Sequence, residues 1–247
     1  PPVKWLHAQR AGRPNSFKPG HGTFAVTSQE AREALALNYG NIACIDDAVG
    51  QVMAELEHLG LADNTVVMFT SDHGDLLGDR GLMFKGGLHY GGLTRVPFIW
   101  ADPTAVGGTA ARETPALAQT TDIAATVLAR AGVSPAHGMQ GQSLLPVVAG
   151  QADALRTSLL IEEEGQRLDF NLGQRIRMRT LRTQEHRLTI YDGQAWGELC
   201  DLRADPNELR NLWNDPASQA LRAQLMAELA YAMLHQTNTS PYPLASA

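Results

Sequence analysis

The sequence predicts an α/β layered domain that gives way to a small antiparallel sheet and closes on a helix. Three observations carry this. A long apolar series with helical steps is followed at once by the strand-length apolar run "TVVMFT". After a polar loop come a second short apolar run and a second helical series. Near Gly150 the pattern changes to short, partly alternating segments with Arg or Thr between apolar residues.

The elements follow in order. Residues 1–26 are rich in Pro, Gly, His and Lys, show no period and read as an irregular arm. Thr27 and Glu30 make a capping-box pair. Leu35, Tyr39, Ile42, Ile45, Val49, Val52 (or Met53), Leu56 and Leu59 then recur in steps of three and four, as one amphipathic helix that stops at Gly60. Gly40 and Gly50 inside it each cost about 1 kcal/mol relative to Ala, which points to close packing there. "LADNT" is a turn. "TVVMFT" has the continuous apolar character of a strand covered on both faces, as in a mainly parallel sheet. "RVPFIWADP" is a second buried strand, closed by Asp102 and Pro103. "ALAQTTDIAATVLARAG" is a helix ending at Gly132, with Thr121 and Asp122 as an alternative start.

The change near Gly150 divides the chain into residues 1–150, an α/β core, and residues 151–247, a small subdomain. There "TSLLIEEE", "RIRMRTLRT", "HRLTIYDG" and "WGELCDL" read as antiparallel strands with one solvated face. "ASQALRAQLMAELAYAMLHQ" is the terminal helix, and the tail after it is loose.

Totals exclude several classes. The net charge of -6 is spread evenly: residues 1–150 hold 10 basic and 13 acidic side chains, and residues 151–247 hold the same numbers. No basic face is concentrated in either part, which argues against a nucleic-acid partner. No apolar run reaches the ~20 residues that span a bilayer. The N-terminus lacks the apolar stretch of a signal peptide and lacks Met, so Pro1 reads as a cut through a longer chain or a processed start. Cys44 and Cys200 show neither disulfide nor zinc spacing. Cysteine usage favours a reducing, cytoplasmic compartment, although the N-terminus does not inform on localisation.

The polar loop "SDHGDLLGDRGLMFKGGLHY" carries the chemistry. It follows the carboxyl end of a strand, where open parallel sheets bind ligands. Asp72 offers hard oxygens and His73 a neutral imidazole nitrogen. Gly74 permits the sharp turn that lets both face one point. Such a set suits Mg, Ca or Mn. Lys85, in "FKGG", makes sense beside a divalent ion if the ligand is a phosphate or sulfate group. Each has an ordinary alternative. Asp-His-Gly is common turn chemistry, a lone Asp-His pair is more often structural than metal-binding, and Lys85 alone is more often a solvated surface lysine. His89 could satisfy a backbone carbonyl, and Asp75 and Asp79 could solvate the loop or pair with Arg80. His21, in "KPGHG", reads as structural, as do Asp46 and Asp47, one of which would bond a neighbouring loop.

Taken together, "NYGNIACIDDAVGQVMAELEHLGLADNTVVMFTSDHGDLLGDRGLMFKGGLHYGGLTRVPFIWADP" strongly resembles the C-terminal part of the sulfatase family, within the alkaline phosphatase superfamily. "LRTQEHRLTIYDGQAWGELCDLRADPNELRNLWNDP" resembles that family's small C-terminal sheet. The likeness runs from about Ala34 to Trp213. It implies part of an alkaline-phosphatase-like α/β sandwich plus the antiparallel subdomain with its terminal helix. It implies that Asp72 and His73 bind one divalent ion (Ca, Mg or Mn). It implies that Lys85 is a catalytic and substrate-binding contact to a sulfate or phosphate ester, with His89 at the substrate as well. The Asp-His pair resembles the phosphonate monoester hydrolase and choline-sulfatase-like branches.

The departure from the family pattern is equally informative. Family catalysis uses a Cys or Ser in a C/S-x-P-x-R motif, converted to formylglycine, and neither Cys44 nor Cys200 lies in that motif. The formylglycine is therefore expected upstream of this chain, and the chain alone is expected to be inactive and to hold metal weakly. An open sheet edge predicts self-association or cover by an N-terminal portion. The competing readings are a sulfuric ester hydrolase, a phosphodiesterase or phosphonate monoester hydrolase, and a non-catalytic binding module.

Overall fold

The structure, a computed structural model, describes residues 24–104, 112–165 and 175–237. Most of the expected arm, with His21, and the tail after Thr237 lie outside them. The chain divides into two compact units. The first comprises Pro1–Thr104 and Glu163–Arg177, the second Ala105–Glu162 and Met178–Ala247.

In the first unit, β1 (Phe24–Ala25) pairs antiparallel with β3 (Leu82–Met83). Helix α1 (Ser28–His58) starts on the expected capping box. The Thr27 amide donates to Glu30 Oε2 at 2.7 Å, and the Glu30 amide donates back to Thr27 Oγ1 at 3.3 Å. Its end is a Schellman turn. Gly60 N–H donates to Glu57 O at 3.0 Å and Leu61 N–H to Leu56 O at 2.9 Å, with Gly60 at φ +66°.

The apolar series of α1 lies where the steps placed it, but no described residue of the helix is buried. Tyr39 is 64% exposed, Ile42 50%, Ile45 51% and Val52 61%. A Cβ added to Gly40 or Gly50 would meet no atom within 4 Å, so the close packing expected there is absent among the described residues. Asp46 and Asp47 are exposed too. Periodicity reports which side of a helix seeks cover; it does not supply the cover.

Strand β2 (Val67–Thr70) pairs with β4 (Phe98–Ala101) in the register Val67–Ala101 to Thr70–Phe98. That pairing is antiparallel, and the parallel neighbours expected for β2 are not among the described residues. A continuous apolar run specifies cover on two faces, not the direction of its neighbour. All four β2 residues are half-buried, and Ile99 of β4 is exposed. Between these strands lies the short helix α2 (Gly91–Thr94). Leu76, Leu82, Met83, Leu88, Tyr90 and Leu93 are buried here.

The second unit holds α3 (Thr121–Arg130) and α4 (Leu145–Val148). The later of the two expected helix starts is the observed one, because Asp122 is fully buried and ties the helix start to neighbouring backbone. A four-stranded sheet runs in the order β5 (Ser158–Glu164), β6 (Arg177–Thr183), β7 (His186–Tyr191) and β8 (Gly197–Asp201). β6–β7 and β7–β8 are antiparallel, so all the expected strands form. Leu181, Leu188 and Leu199 stand in register across three strands. They pack with Leu160 and with Leu225 and Leu229 of the terminal helix α5 (Gln219–His235).

Residues one step along point to the opposite face, as the strand period requires. That face was expected to be solvated. Instead Thr180, Arg187, Thr189 and Glu198 are buried on it. The Arg187 guanidinium donates to Glu198 Oε2 at 2.9 Å, to Thr189 Oγ1 at 2.8 Å and to Glu208, which enters from the following loop. Arginine's forked donors can serve several acceptors at once, which lets charged residues occupy a strand face without water.

Candidate metal and anion site

The site loop leaves the carboxyl end of β2 as Ser71–Asp75. It turns there because Gly74 has its backbone against α2. Gly74 N–H donates to Leu93 O at 2.8 Å, and a Cβ on Gly74 would lie 1.9 Å from Gly92 O. Only glycine fits that approach. Further on, Leu77, Arg80 and Phe84 all adopt positive φ (46°, 56° and 63°) without being glycine. Three such residues in one loop mark backbone held by its surroundings. Arg80 lies over the buried Tyr90 ring at 3.9 Å.

Asp72 and His73 face one point. The Asp72 carboxylate accepts from the His73 amide through Oδ1 at 2.9 Å and from the Ser71 hydroxyl at 3.3 Å. The His73 amide chiefly, with the Ser71 hydroxyl, holds the Asp72 carboxyl below its ordinary range against the opposing effect of desolvation. The other oxygen, Oδ2, lies 3.3 Å from His73 Nε2.

The tautomer of His73 follows from its contacts. Nδ1 lies 2.8 Å from Gly74 O, and a carbonyl oxygen only accepts, so Nδ1 carries the proton. Nε2 is then the lone-pair nitrogen, on the side of Asp72 Oδ2. The Lys85 ammonium contacts that same Nε2. Lysine has donors and no acceptor, so Lys85 donates and His73 accepts. Two independent contacts thus assign the same tautomer.

Of the sequence-proposed residues, Asp72, His73 and Lys85 come together, all partly or largely exposed. His89 differs: it is buried, with Nε2 3.2 Å from Glu163 Oε2. Glu163 was not singled out from sequence. Its signal was the alternation of "IEEE" in β5, which puts Glu163 on the face opposite Glu162 and Glu164.

A carboxylate oxygen and a neutral imidazole nitrogen, fixed 3.3 Å apart, fit part of the shell of a divalent ion. Among the described residues, no group of three or more His, Cys, Asp or Glu side chains completes such a shell. The pair therefore suits one wall of a metal centre.

The sequence model of the Sulfatase family matches residues 11–133. That of "N-sulphoglucosamine sulphohydrolase, C-terminal" matches residues 78–235. The chain belongs to the sulfatase family.

Within it, the chain is 31% identical over 207 residues to the choline-sulfatase of Rhizobium meliloti, covering 83% of this chain and 38% of that protein. It is 29% identical over 239 residues to the multifunctional alkaline phosphatase superfamily protein PehA of Trinickia caryophylli, covering 92% of this chain and 46% of the relative. Among solved structures it resembles the phosphonate monoester hydrolase of Agrobacterium radiobacter. The TM-score is 0.78 at 26% identity, covering 87% of this chain and 44% of that one. The alkaline-phosphatase-like fold expected from the sequence is that of these sulfatase-family neighbours. The chain spans less than half the length of the relatives it matches.

Proposed function

We propose that this chain supplies one wall of the active site of a metal-dependent sulfuric ester hydrolase. The observation that carries the reading is the contact of the His73 ring with both the Asp72 carboxylate and the Lys85 ammonium, just after the carboxyl end of β2. Asp72 and His73 are the ligands this wall offers to one divalent ion, Ca, Mg or Mn. When bound, that ion neutralises charge on a tetrahedral anion. Lys85 is the catalytic cation that binds the anion, and His89, oriented by Glu163, shapes the substrate side. The formylglycine nucleophile of the family lies outside this sequence.

The apolar stripe of α1 supports a partner for this wall. Its seat belongs to the portion of the sulfatase fold that the relatives have and this chain does not span. For the chain alone it belongs to a second copy. No described helix is long and apolar enough to cross a membrane, and the balanced charge gives no support to a nucleic-acid partner.

A second reading keeps the site and changes the substrate to a phosphodiester or phosphonate monoester. The likeness to the phosphonate monoester hydrolase favours it. Paired assays on the intact enzyme, with a sulfate ester and a phosphonate monoester, separate the two. In the same protein Asp72→Ala is expected to lose bound metal and turnover together. Unchanged turnover would remove the site assignment and leave a non-catalytic module as the better description.

A further inference from the structure

We draw no further inference here: the strongest candidate, the outward face of the terminal helix α5, where Tyr231 is 67% and Leu234 69% exposed, is an apolar face, and nothing in the structure shows what covers it.

Discussion

Arg156 grips Asp122 at both carboxylate oxygens, the Nη2–Oδ1 bond measuring 2.8 Å, and the carboxylate is fully buried. Asp122 also accepts from the amides of Gln119 at 2.9 Å and Gln142 at 2.8 Å. One side chain thereby holds the start of α3, a loop twenty residues on and a third segment. Asp122→Ala strands an arginine and two amides and is expected to cost about 3–5 kcal/mol. Urea denaturation of the two chains measures it. A loss of only a few tenths would show that the clip is not structural.

Acid stability should report Asp201. The backbone amide of Ala204 chiefly, then that of Arg203 and the charges of His186 and Arg203, holds this carboxyl below its ordinary value of 3.8, against the opposing effect of desolvation. Its folded pKa is therefore lower than its unfolded one. The stabilisation is fully present above the ordinary carboxylate value and disappears as pH falls through the lowered one. The stability difference between the natural chain and Asp201→Asn should shrink toward zero as pH falls from above the ordinary carboxylate value through the lowered one. A difference that stays constant over that range would contradict the assignment.

The metal turn should fail through its backbone. In Gly74→Ala the new methyl would collide with the Gly92 carbonyl, so the Asp72–His73 turn must shift. Loss of Mn2+-induced broadening at His73, with the sheet of the second unit still folded by amide exchange, is the expected outcome. Retained broadening would show that the turn has room to spare.

The exposed face of α1 should govern association more than stability. Ile42→Glu with Val52→Glu removes two exposed apolar side chains, and each is expected to change the stability of the single chain by no more than about 0.5 kcal/mol. On a sizing column the natural chain should elute as a dimer or larger and the double variant as a monomer. Equal elution volumes would dissociate α1 from any assembly.

Local chemistry made much of this fold legible. Thr27, Glu30 and Gly60 carry their own start and stop signals, and α1 begins and ends on them. The leucines of β6–β8 alternate as a half-buried sheet requires. What escaped depends on distance in sequence. Arg187 reads as a solvated strand residue until Glu208 arrives from a later loop. Glu163 hides in a run of three acids until His89, 74 residues earlier, selects it. In the candidate site, Asp72, His73 and Lys85 were singled out by residue type together with the resemblance to the sulfatase family. The tautomer was not, because it depends on where the Gly74 carbonyl points.

The loop with Leu77, Arg80 and Phe84 at positive φ has a consequence for saturation mutagenesis. Side chains normally decide tolerance, but at these positions the backbone does. Holding an L-residue there costs roughly 1–2 kcal/mol that glycine does not incur. A codon-by-codon survey should find glycine and asparagine accepted at all three positions and Val, Ile and Pro purged. The resulting pattern would trace the path of the chain around the site from sequence counts alone.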